Sequence, residues 1–111
     1  MLARLGLVAM TALLLAPPVA ADPGQDAAFF QILDRYKLGY TTRDEAISAA
    51  AATCSALDRG VSYGQLQTTM LNASQGGSWS LRDADQFMFA AISAYCPQYV
   101  GVVPQSSLVP R

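Results

Sequence analysis

Histidine is absent from all 111 residues of this chain. No imidazole is available as a base near neutral pH, or to activate a serine or thiol nucleophile. No serine stands in a nucleophile elbow either: Gly60-Val61-Ser62-Tyr63-Gly64 has the Gly-x-Ser-x-Gly spacing, but it is read as the junction of two helices, whereas the elbow joins a strand to a helix. Clusters of basic side chains are missing as well. Between residues 22 and 105, Arg35, Lys37, Arg43, Arg59 and Arg82 stand singly among eight acids, which leaves three net negative charges. Nucleic acid binding depends on phosphates being neutralised by grouped Lys and Arg, and is disfavoured. The acidic loop pattern Asp-x-Asp-x-Asp-Gly is also lacking, so neither a metal nor another cofactor is expected. Asp44 and Glu45 open a helix, and Asp58 stands alone.

What is present favours a packed fold. Apolar residues make up 52% of the chain and charged residues 14%, a balance opposite to that of disordered segments. The length allows one domain. At the amino end, Arg4, the apolar stretch from Leu5 to Leu15 and the small residues Val19-Ala20-Ala21 have the layout of a cleavable signal peptide. Pro17 and Pro18 interrupt the stretch before the ~20 apolar residues a membrane helix requires. Residues 1–21 are therefore expected to be removed after Ala21, leaving an exported chain with no permanent membrane anchor. At the other end, Leu108-Val109-Pro110-Arg111 reads like a thrombin site, so residues 106–111 are set aside as an expression-tag remnant and the domain is taken as 22–105.

Apolar residues recur at helical spacing in four segments, and none alternates as a half-buried strand does. An all-α bundle of about four short helices is expected. The first covers about Asp26 to Lys37, with Phe29, Phe30, Leu33 and Tyr36 on one side, Gly39 as its terminator, and Asp22-Pro23 as a possible earlier start. The second opens on a capping box from Thr42 to Glu45, turns Ile47, Ala50, Ala51, Cys54 and Leu57 inward, and stops at Gly60. The third opens on a second box, Ser62 to Gln65, with Val61 stapled onto Leu66. Asn72 to Ser80 is polar and glycine-rich, and is read as a mobile loop. The fourth starts at Ser80 and carries Ala84, Phe87, Met88, Ala91, Ile92 and Tyr95 as its stripe, with Asp83 and Asp85 at its positive end; Pro97 blocks its continuation.

Two cysteines far apart in an exported chain, each near a helix end, read as a disulfide between Cys54 and Cys96. The C-terminal ends of the second and fourth helices must then meet, with α-carbons within about 7 Å. The cysteines also carry a resemblance. Asp26-x-x-Phe29, Gly39, Cys54-x-x-Leu57 with Gly60, and Ala94-Tyr95-Cys96-Pro97 resemble small exported mycobacterial proteins that carry a domain of unknown function. That resemblance implies a disulfide-bridged helical fold outside the cytoplasm, secreted or in the cell envelope, and supplies no catalytic residues.

Three functional readings follow. A hydrolase lacks its parts: Asp83 and Asp85, at i and i+2, point to different helix faces, so they are not a catalytic pair and no enzyme is expected. An interaction module draws on Trp79, next to the glycine-rich loop, with Tyr40 and Tyr63 also near helix boundaries; Trp and Tyr are frequent binding hot spots. The plain alternative is that Trp79 only packs over its own helix start. A carrier of an apolar ligand or lipid would line a cavity with Phe29, Phe30, Phe87, Met88 and Phe89, yet a core this small favours dense packing. A binding module with an unidentified protein partner is the expected class.

Overall fold

The computed structural model describes residues 23–74 and 77–108. The leader read over residues 1–21, the pair 75–76 and the last three residues lie outside this range. Four α-helices are present among the described residues, and no strand: α1 Pro23–Arg35, α2 Arg43–Asp58, α3 Tyr63–Ala73 and α4 Leu81–Tyr95, followed by 3₁₀ turns at Pro97–Val102 and Gln105–Leu108.

The helix ends show which local signals act. α1 begins at Pro23, where a fixed φ suits the first helical turn and the missing N–H is no loss. It ends not on Gly39 but on Lys37, which holds φ at 57°. The Leu38 amide donates to Leu33 and the Lys37 amide to Asp34, a Schellman closure that seats Leu38, the residue before the glycine, in the core. α2 closes in the same way on the expected residue: Gly60 takes φ 85°, and the Val61 amide donates to Ala56. Thr42 and Ser62 accept from Glu45 and Gln65, but in these two helices only that arm of the box forms. Both arms form at α4, where Ser80 and Asp83 cap each other's backbone amides. α3 runs on to Ala73, so Asn72 and Ala73, read as loop, are helical.

Every other element packs on α4. Burial therefore spreads around α4 beyond one stripe: Ala84 to Met88 are buried without interruption, as are Ala90, Ala91, Ile92 and Ala94. α1 contributes Phe29 and Leu33, both wholly buried; the Phe29 ring meets Phe87 edge-on, with centroids 5.7 Å apart. α2 presents Ala46, Ala50, Thr53 and Ala56, so its buried face is rotated from the expected one and Ala51 is exposed. The small side chains let the backbones approach, and the Thr53 hydroxyl is satisfied by donating to Ala49 within its own helix.

Cys54, one turn before the end of α2, is bonded to Cys96, the C-cap of α4, with α-carbons 5.9 Å apart. The two C-terminal ends meet as the cysteine positions require. Beyond the bridge, buried Val103 anchors the returning chain. Residues 105–108, part of which was set aside as tag, lie against α4 and α1: Gln86 donates to the Ser107 carbonyl and Tyr36 to that of Leu108.

Candidate functional site

Trp79 is positioned from both sides. Ser74 caps the end of α3, and its hydroxyl donates to Leu71 while accepting the Trp79 amide at 3.2 Å. Between them Gly77 donates to the Ser74 carbonyl and takes φ 72°, a conformation a side chain would strain. The turn swings the indole back over α4, where its ring meets Phe87 with centroids 5.4 Å apart. Trp79 thus does pack onto its neighbouring helix, as the plain reading has it, but it is only half-buried.

Its remaining surface borders a groove of about 440 Å³. Tyr40, from the α1–α2 connection, and Glu45, Ala46 and Ala49 of α2 line it, together with Met70 and Ser74 at the end of α3 and Phe87 beneath. Tyr40 is 37% exposed, and its ring rests on Phe30, with centroids 5.2 Å apart. Glu45 is exposed. Its amide serves the Thr42 cap, whereas its carboxylate, expected to complete that box, takes no hydrogen bond or ion pair among the described residues. Trp79 and Tyr40, singled out in the sequence, are therefore brought to one place.

Tyr63 is not. It sits at the first turn of α3, two turns or about 10 Å along the axis from Met70, and belongs to a separate polar cluster around Asp85. That carboxylate is 3% exposed. It accepts from the Tyr63 hydroxyl at 2.7 Å, the Gln67 amide at 2.6 Å and the Ser107 hydroxyl at 2.6 Å. Burial and the hydrogen bond to Asp85 raise the Tyr63 pKa far above the ordinary phenol value. Asp85 thus acts as a buried acceptor joining α3, α4 and the C-terminal turn, not as a charge at the helix start. Two further tyrosine–aspartate bonds tie the chain together: Tyr95 donates to Asp26 and Tyr99 to Asp58. Asp83 is committed to its cap and Asp85 to its three donors, so these carboxylates have structural roles.

The phenylalanines suggested for a ligand cavity are placed differently. Phe29, Phe30, Phe87 and Met88 are buried among themselves and their neighbours, and of the five residues only Phe87 borders the groove. Among the described residues no group of histidine, cysteine and carboxylate side chains has the geometry to hold a metal ion, and no cysteine is free. No described helix is long and apolar enough to cross a membrane. Sequence reading missed Glu45, Met70, Ser74 and the Asp85 cluster. The groove gathers residues from five segments, which no local pattern reveals. For Asp85 a signal existed: an acid next to Ala84 and two residues before Phe87, both on the apolar stripe read for this helix.

Two uncharacterized proteins of Mycobacterium tuberculosis, MT0585 of strain CDC 1551 and Rv0559c of strain H37Rv, are each 34% identical to this chain over 98 residues, covering 87% of it and 86% of their own length. No solved structure matches. The model of the family described as protein of unknown function (DUF732) matches residues 25–98, from α1 through both bridged cysteines and into the turn beyond. With most of its helical fold inside that match, the chain belongs to the DUF732 family.

Proposed function

We propose that the protein is an exported, non-catalytic binding domain that engages its partner through the groove bordered by Trp79 and Tyr40. The observation that carries this reading is the placement of the only tryptophan in the chain. It is fixed by Ser74 and Phe87, yet leaves part of its surface to a groove of about 440 Å³, a volume typical of ligand sites. A held aromatic with open surface loses little entropy on contact, which is why such residues dominate binding energy. The absence of histidine and of a free cysteine, with Asp83 and Asp85 committed to structural bonds, supports a role without catalysis. The Cys54–Cys96 bridge and the leader-like first 21 residues support an oxidising destination, in the envelope or the secreted fraction.

Carriage of an apolar ligand has less behind it, because the large apolar side chains fill the core instead of lining a hollow. Affinity capture from envelope and culture-filtrate fractions, with wild type, Trp79→Ala and Tyr40→Ala as baits, tests the binding reading. A partner retained by wild type and lost from both variants at unchanged helicity is the expected result; an identical set on all three baits removes the groove from the case. Intact-mass measurement on the exported protein checks the leader, with Asp22 as the expected first residue.

A further inference from the structure

We propose that the groove takes the cationic side chain of a lysine or arginine from an extended segment of a partner protein. This rests on the reading of the groove as the binding surface and adds the chemistry of its occupant. Two aromatic residues, Trp79 and Tyr40, and one carboxylate, Glu45, line the same space, and no lysine or arginine lines it. Aromatic faces attract cations through the ring quadrupole, most strongly when the cation leaves water, and a nearby carboxylate supplies the countercharge. Glu45 is suited to this because its backbone serves the helix cap while its carboxylate is uncommitted among the described residues. Arg43, on the same helical turn, lies over Phe30 at 3.8 Å from the ring centroid and does not line the groove. The surface beside the groove thus already holds a guanidinium on an aromatic face.

The form of the groove favours a peptide over a free organic cation. It is about half open to solvent, whereas sites for small molecules enclose most of their ligand. The exposed Ser78 at its border suits the polar backbone of a segment lying across it. The net negative charge of residues 22–105 attracts basic partners from a distance.

Because Trp79 is the only tryptophan, its emission reports on the groove alone. The disulfide-bonded chain is titrated with four probes: an acetylated, amidated pentapeptide with central arginine, the same peptide with citrulline, the same with leucine, and tetramethylammonium chloride. The arginine peptide is expected to shift the emission saturably, bind at least tenfold more tightly than the citrulline and leucine peptides, and weaken as salt is raised. Glu45→Gln is expected to bring the arginine peptide to the level of citrulline while the thermal melt stays in place. If citrulline or leucine binds as well as arginine, the cation assignment is overturned and the groove stands as a binding surface. If tetramethylammonium matches the arginine peptide, the peptide assignment is overturned in favour of a small cation. If no probe moves Trp79 at millimolar concentration, the assignment fails together with the groove reading on which it rests.

Discussion

Asp83 and Asp85 lie two residues apart on one helix, and neighbouring elements give them different roles. Asp83 satisfies an exposed backbone amide at the helix start; Asp85 is buried against three donors from two other segments. Removing a cap costs about 1 kcal/mol, and a fully buried donor left without a partner costs about 1–3 kcal/mol. Each of the three half-buried donors to Asp85, which water can reach, falls at or below the low end of that range. Urea denaturation is therefore expected to show Asp83→Ala lower by about 1 kcal/mol and Asp85→Ala lower by about 1–3 kcal/mol, with the second also loosening residues 105–108. Lys37 gives a prediction of opposite sign. Its left-handed conformation costs roughly 1–2 kcal/mol, and glycine relieves that at an entropic cost of about 0.5–1 kcal/mol. Lys37→Gly is expected to raise stability by about 0.5–1 kcal/mol in the same measurement.

At the scale of elements, the four helices, their order and the bridge were legible, because apolar period, caps and the pairing of only two cysteines are local or forced. Gly60 illustrates the success: a glycine after the last inward residue of α2 closes it with φ 85°. Gly39 illustrates the failure: the apolar Leu38 closes into the core first, so burial decides the terminator and a lysine takes the strained position. The rotated face of α2 has a similar cause. In a run of alanines every face is equally apolar, and the neighbouring α4 selects Ala46, Ala50 and Thr53. Of the candidate site, Trp79 and Tyr40 were legible as aromatics at helix boundaries. Their meeting was not, since it depends on how α3 and the α1–α2 connection fold back on α2 and α4. The bridge itself yields the firmest number at this scale. Closing 42 residues of separation is worth roughly 4 kcal/mol in the chain-entropy model. Cys54→Ser with Cys96→Ser, or reduction of the wild type, is expected to lower the midpoint of thermal unfolding by about 15–30 °C.

For the whole molecule, tyrosine–aspartate bonds join distant parts of the chain, and they set a limit at alkaline pH. Tyr63 and Tyr95 have pKa values raised by burial first and by their carboxylate partners next. A group held protonated in the folded state contributes its full stability below the unfolded phenol value of about 10. That contribution falls as pH rises above 10, because the unfolded chain then loses the proton and the folded chain does not. Thermal melts are expected to be insensitive to these groups up to about pH 9 and to decline beyond pH 10, while Tyr63→Phe, less stable at neutral pH, declines less steeply.

The central position of α4 also bears on when the chain becomes a folded body. Residues 23–74 emerge from a ribosome or a translocation pore before the helix on which they pack has been delivered. Until Leu81 to Tyr95 arrive, α1 to α3 are short segments without a common partner, and isolated helices of 11–16 residues are marginal in water. Folding is thereby postponed until α4 has been delivered. A fragment ending at Ser80 is expected to give the circular dichroism of a largely disordered peptide, and addition of residues 81–105 to restore a cooperative melt.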